Sequence, residues 1–225
     1  LDNSSEINLD FFSSIRLKDI NDKQLKFKAK LPIRFQNKKI FTGELSSNIN
    51  LVEFPLASIS DYVGSSIAGN FSLDGNIFGP LKKLKTELSL KLDIPQVNGI
   101  RLREEWVGTF QRNPQLSNWG ELKMNSVGAS VPGELIAKIS ELGSILDVRL
   151  KRLGGEITLK NRSNIYKWEA SDFRLDRIEV AVPPERSFKR VFGELAGKGS
   201  FSLNPLFVDG EVNLRYPRLM GLKLK

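Results

Sequence analysis

Leu25-Lys26-Phe27-Lys28-Ala29-Lys30-Leu31-Pro32-Ile33-Arg34-Phe35 alternates apolar with basic residues, and this period of two decides the fold class. Successive side chains leave opposite faces of a pleated strand, so Leu25, Phe27, Ala29, Leu31, Ile33 and Phe35 share one face while Lys26, Lys28, Lys30 and Arg34 share the other. The period recurs at Leu88, Leu90, Leu92 and Ile94, set against Ser89, Lys91 and Asp93. It returns at Ile157 and Leu159, Tyr166 and Trp168, Phe173 and Leu175, Ile178, Val180 and Val182, and Val212 and Leu214. Asp74-Gly75, Asn98-Gly99, Asn113-Pro114 and Asp209-Gly210 break these runs at hairpin spacing, which predicts a mostly β chain folded as an antiparallel meander.

An internal repeat is laid over this pattern. Gly69-Asn70-Phe71-Ser72-Leu73 and Gly199-Ser200-Phe201-Ser202-Leu203 share Gly-x-Phe-Ser-Leu, and each follows a Pro-led amphipathic segment. The first segment starts at Pro55 and carries Leu56 and Ile59. A middle one starts at Pro132 with Leu135, Ile136, Ile139 and Leu142 before Gly143, and the last starts at Pro184 with Phe188, Val191, Phe192 and Leu195 before Gly197. Apolar residues at i, i+3, i+4 and i+7 predict short helices, each with proline in its first turn and glycine past its end. The expected units lie near 53–110, 131–160 and 184–215 in one elongated segment.

The 225 residues are 40% hydrophobic, enough for a real core, with 34 Lys and Arg against 26 Asp and Glu for a net charge of +8. Cysteine and histidine are both absent. That rules out disulfides, thiolate nucleophiles, serine triads with a histidine base and His-based zinc sites. The chain starts at Leu1 and has no apolar run near the ~20 residues of a membrane helix, so it reads as an internal piece of something longer.

Enzyme motifs are weak. Glu104-Glu105 is the one adjacent carboxylate pair, and neighbours on a strand face opposite ways, so the two do not flank one bond. Asp74, Asp93 and Asp209 sit in turn or strand contexts. Gly193-Glu194-Leu195-Ala196-Gly197-Lys198-Gly199 lacks the spacing of a phosphate loop and reads as a helix end. No catalytic residue, metal or cofactor is expected. Lys38-Lys39, Lys82-Lys83-Leu84-Lys85 and Lys151-Arg152 read as a solvated outer face, because the cations alternate with apolar residues as the pleat arranges them. Phe11, Phe12, Phe27, Phe35, Phe71, Phe173 and Phe201 fall on the apolar phase rather than among the lysines, which disfavours nucleic acid. Trp106, Trp119 and Trp168 read as packing residues.

A one-sided apolar sheet must hide that face from water. Closure into a sandwich or barrel, an open U-folded sheet filled by acyl chains, and a β-solenoid all do so, the last fitting the uneven turn spacing least. The runs Glu53-Phe54-Pro55-Leu56, Ile67 through Gly75, Phe78-Gly79-Pro80-Leu81-Lys82-Lys83-Leu84 and Glu87-Leu88-Ser89-Leu90 resemble the repeated unit of the TamB family. Asn98 through Trp106 is similar to its cyanobacterial and plastid-envelope members. The likeness is close over 53–110 and looser over 132–215.

The resemblance implies a U-folded antiparallel sheet, a β-taco, in a bridge anchored in the inner membrane outside this segment. Such a bridge crosses the periplasm, or the plastid intermembrane space, and is related to AsmA-like lipid transfer proteins. The partners it implies are phospholipid or glycolipid acyl chains and an outer-membrane barrel component, the alternative role being a scaffold for barrel assembly or protein translocation. The groove would be lined by Leu25, Phe27, Ala29, Leu31, Ile33, Phe35, Phe71, Leu73, Leu88, Leu90, Leu92, Ile94, Ile157, Leu159, Phe201, Leu203, Val212 and Leu214. Helices carrying Leu56, Ile59, Leu135, Ile139, Phe188 and Phe192 would dock on it.

Overall fold

A computed structural model describes residues 5–16, 24–36, 39–182, 187–203, 206–219 and 222–223, which form one 17-stranded sheet. Its first strands are β1 (Ser5–Arg16), β2 (Gln24–Gln36), β3 (Lys39–Thr42), β4 (Glu44–Pro55), β5 (Ile67–Pro80) and β6 (Lys85–Val97). The middle holds β7 (Ile100–Leu102), β8 (Glu105–Arg112), β9 (Trp119–Val127), β10 (Glu134–Ser140), β11 (Ile145–Arg152) and β12 (Gly155–Arg162). It ends with β13 (Ile165–Arg174), β14 (Ile178–Val182), β15 (Ser187–Leu203), β16 (Leu206–Leu219) and β17 (Leu222–Lys223).

Every pairing is antiparallel, and the long strands follow chain order as the alternation and turn spacing predict. Three short strands extend longer runs: β3 precedes β4 along β2, β7 precedes β8 along β6, and β14 follows β13 along β15.

Where an open sheet is one expectation, ten strands close on themselves. The ring passes through β6, β8, β9, β10, β11, β12, β13, β15, β14 and β7. Its seam is narrow: Ile100, Arg101 and Leu102 of β7 pair with Val180, Glu179 and Ile178 of β14. Two backbone hydrogen bonds flank these pairs, from Ala181 N–H to Gly99 O at 2.8 Å and from Arg103 N–H to Arg177 O at 3.0 Å.

Bulges at that end of the strands provide the curvature. Register shifts fall between Leu51 and Phe54, Ala68 and Asn70, Ala170 and Phe173, and Phe192 and Glu194. Glu53, Ile94, Asp172 and Tyr216 take positive φ there, and an inserted residue sharpens local twist and bend. Outside the ring, β5, β4, β2 and β1 continue from β6, and β16 and β17 continue from β15.

The predicted helices are mostly absent. Among the described residues only the first Pro-led segment turns helical, as a single 3₁₀ turn over Leu56–Ile59 and one α turn over Ser60–Val63 that stops at Gly64 with φ 64°. Leu135 and Ile139 lie on β10, and Phe188 and Phe192 lie on β15. On β15 Phe188 and Phe192 share one strand phase and Val191 and Leu195 the other, so apolar residues on both faces mimic a helical period. On β10, Leu135, Ala137 and Ile139 satisfy strand alternation as well as helical offsets. The start of the last segment, Pro184, lies outside the described residues.

Little of the chain forms a dry core. Among the described residues the buried hydrophobic ones are Ala29, Trp106, Met124, Ala137, Ala170 and Phe173, and all but Ala29 belong to the ring. Accessible surface totals 15419 Å², whereas a compact chain of this mass exposes about 10,300 Å².

Candidate functional site

Register assembles the alternating residues of separate strands into long rows. Residues directly opposite on antiparallel strands share a face. One row runs Phe27, Ile49, Gly75, Leu88, Phe110, Leu122, Ala137, Val148, Leu159, Trp168, Gly199 and Gly210, from β2 to β16. The row beside it runs Leu51, Leu73, Leu90, Gly108, Met124, Leu135, Leu150, Ile157, Ala170, Gly197 and Val212. Every member of both rows is apolar or glycine.

The next row along the strands, on the opposite face, is Lys28, Asn48, Asn76, Glu87, Gln111, Glu121, Lys138, Asp147, Lys160, Lys167, Ser200 and Asp209, all polar or charged. A single apolar face therefore crosses the sheet, and the buried Met124, Ala137 and Ala170 place it inside the ring.

Aromatic rings lie flat on this face over glycines. A Cβ added at Gly199 would stand 2.8 Å from Trp168 Nε1, and one at Gly197 would stand 3.2 Å from the same indole. At Gly120 it would meet the Phe110 ring at 2.3 Å. Tyr166 and Phe201, a register pair, stack at 5.0 Å with planes 10° apart. Glycine under an aromatic ring covers backbone without raising a knob.

The predicted face residues distribute along these rows. Leu88, Leu90, Leu92, Ile157, Leu159 and Phe201 lie in the ring, half-buried, where a packed barrel core would bury them. Phe71 and Leu73 on β5, and Phe27, Ala29, Leu31 and Ile33 on β2, lie outside it. Val212 and Leu214 on β16 are 61% and 47% exposed, and their neighbour Val208 is 76% exposed. Ile94 sits at a bulge with φ 43° and is exposed. The side chains of Leu25, Phe35 and Leu203 lie outside those described. Leu56 and Ile59 occupy the helical turn beside β5; Leu135 and Ile139 join the apolar face through β10.

Sequence reading missed the charges at the ring seam. Glu104 and Arg152, each with only 2% of its side chain exposed, form an ion pair, and Arg177 Nε stands 3.6 Å from Glu104 Oε1. Arg101 donates from Nε to Glu179 Oε2 at 2.9 Å, and Arg103 Nε lies 3.0 Å from Glu179 Oε1. Arg152, read as part of a surface doublet, is buried; its phase with Val148 and Leu150 on β11 is the signal that places it on the apolar face.

Outer-face charges pair locally. Lys91 meets Glu105 at 2.7 Å and Arg149 meets Glu156 at 2.8 Å, and in both cases the hydrogen bond the cation donates to the carboxylate raises the cation's pKa. A cavity of about 660 Å³ near the β15 and β16 bulges is lined by Arg174, Asp176, Phe192, Glu194, Tyr216 and Arg218. Within it Asp176, 3.0 Å away, holds Arg174 above its usual pKa.

No family model, curated protein or solved structure matches the chain. The likeness to the TamB family rests on the residue pattern given above.

Proposed function

We propose that this chain is a lipid-shielding segment of an envelope bridge, carrying acyl chains of phospholipid or glycolipid along its apolar face between an inner and an outer membrane. The observation that carries this reading is the pair of apolar rows reaching from β2 and β4 to β16, where Val212 stays bare to water. Bare apolar surface on this scale calls for an occupant. Methylenes suit it because apolar walls offer no hydrogen bonds, and each buried methylene contributes about 0.8 kcal/mol.

In this reading β1 to β5 and β16 are the walls of an open, U-folded groove, and the ring is where the groove narrows to a lumen. The rows are uniform, so an acyl chain slides without a fixed stop. The setting is the periplasm, or the plastid intermembrane space.

One observation favours a second role. β17 covers only Arg218 and Leu219 of β16, so among the described residues the outer edge of β16 from Leu206 to Arg215 has no partner strand. A free edge of that length suits pairing with a strand of a nascent outer-membrane barrel protein.

Native mass spectrometry of protein purified without detergent tests the first role. Co-purified phospholipid or glycolipid is the expected result. Protein that emerges lipid-free, and takes up none from vesicles, removes the lipid reading and leaves edge pairing.

A further inference from the structure

We propose that the outer edge of β16 joins two copies of this chain, paired antiparallel along Asp209 to Arg215 about a two-fold axis at Val212. The argument begins with exposure. Every residue from Leu206 to Tyr216 is exposed, and among the described residues β17 takes only the part of this edge beside Arg218 and Leu219. Native edges are commonly blunted by lysine, proline or a bulge. Leu206 to Arg215 contains neither lysine nor proline, and it keeps unbroken register with β15 from Leu203 to Glu194, the bulge coming only after Arg215.

This stretch is complementary to itself. A two-fold axis normal to the sheet pairs residues of equal parity, so the apolar faces of both copies fall on the same side. Leu206, Val208, Gly210, Val212 and Leu214 hold that face, while Phe207, Asp209, Glu211, Asn213 and Arg215 hold the other. Charge then chooses the position of the axis. Placed at Asp209, Gly210 or Glu211, it sets Asp209 on Asp209, Asp209 on Glu211 or Glu211 on Glu211, and like charges directly opposite are destabilising.

Placed at Val212, the axis sets Asp209 of each copy on Arg215 of the other, with Glu211 on Asn213 and Gly210 on Leu214. An axis at Asn213 also pairs opposite charges, Glu211 with Arg215, but its span stops at Glu211, and axes nearer either end of the stretch span less still. Arg215 lies 3.3 Å from Asp172, both of them exposed, and a guanidinium with five N–H donors serves a second carboxylate as well. The inference does not rest on the lipid reading. It fills with a second copy the edge that the second role above gives to a foreign strand.

The test uses the whole chain. In sedimentation equilibrium the mean mass of wild type should rise with concentration from 25.3 kDa toward twice that value and stop there. Arg215→Asp and Asp209→Arg each set like charges opposite at both crossings, so each alone should dimerise roughly tenfold or more weakly. An equimolar mixture of the two variants restores both opposite-charge pairs and should dimerise within about twofold of wild type. Thermal melts establish that each variant is folded, since an ion pair between exposed groups contributes little.

The register is read separately. The chain has no cysteine, and Val212→Cys would face its own copy with about 4.5–5.5 Å between Cα atoms, within reach of a disulfide. Mild oxidation should link it into a dimer. Val208→Cys would stand roughly 27 Å from its copy, at about 3.4 Å per residue, and should remain unlinked. A mass fixed at 25.3 kDa at every concentration overturns the proposal and leaves the edge to a foreign strand. Growth beyond two copies overturns it as well, because a joint from β16 to the β1 edge of the next copy is heterologous and runs on as an open chain. Equal linking of both cysteines, or a mixture that fails to recover, has the same consequence.

Discussion

The closed end of the ring and the free strand β16 carry the same apolar alternation and end in opposite states. At the ring end Trp106, Met124 and Phe173 are 3%, 4% and 1% exposed, and the Glu104–Arg152 pair is buried as well. On β16 Val208, Val212 and Leu214 belong to the same face and stand largely in water. Local pattern is therefore not what distinguishes core from open surface. The difference comes from strand pairing: the ring closes its face on itself, while among the described residues β16 has only the two residues of β17 beyond it. One end of the face works as a core and the other as an unfilled surface.

Truncation should expose that contrast most strongly. Trp106→Ala should cost about 3–5 kcal/mol, as large-to-small changes in packed sites do. Val212→Ala should stay within about 0.5 kcal/mol, as for an ordinary surface position. Urea unfolding of both variants checks this; equal losses would mean that β16 is packed too.

Charge on the open part of the face should separate folding from binding. Phe27→Asp with Leu31→Asp places two carboxylates on β2, outside the ring, at about 1–3 kcal/mol each for polar groups that remain partly solvated. The chain should fold and lose acyl photocrosslinking along β1 to β5. Lys28→Asp with Lys30→Asp, on the polar face, should leave binding unchanged. Complete unfolding of the first pair would instead show β2 to be core.

A smaller effect is expected where an aromatic lies on glycine. Gly199→Val pushes a side chain against Trp168 and toward Asp209 O, 2.5 Å from an added Cβ, so overpacking should cost about 1–3 kcal/mol. Indole emission should shift to the red as Trp168 lifts off the sheet. An unchanged spectrum would mean the ring does not rest there.

The smallest effect is reserved for the exposed basic run. Replacing Lys82, Lys83 and Lys85 with glutamine should leave lipid transfer within a few-fold, because solvated surface charges contribute about 1 kcal/mol or less. Near-complete loss would mark that run as a docking surface for an anionic partner.

The meander was legible because its signal is local: a period of two, with turn residues between runs. The apolar face followed from it, since antiparallel register brings each alternating set into line with the next. Two predicted helices are strands because apolar residues on both faces of β15, and the double periodicity of Leu135 to Ile139, imitate helical spacing. Ring closure and its charges were not legible, because the contacts that make them are distant in sequence. Arg101 and Glu179 are 78 residues apart and Glu104 and Arg152 are 48 apart. Phase alone gave a hint, since Arg152 continues the register of Val148 and Leu150 into the ring interior.

Site-specific photocrosslinking to a radiolabelled phospholipid tests the central claim most directly. A crosslinking amino acid would replace Ile49, Leu88, Leu159 or Val212 on the apolar face, and Lys28, Thr109, Lys160 or Glu211 on the polar face. The account predicts lipid adducts at all four positions of the first set, inside the ring and outside it, and none at the second. Adducts spread equally over both faces, or absent from the apolar one, would contradict it.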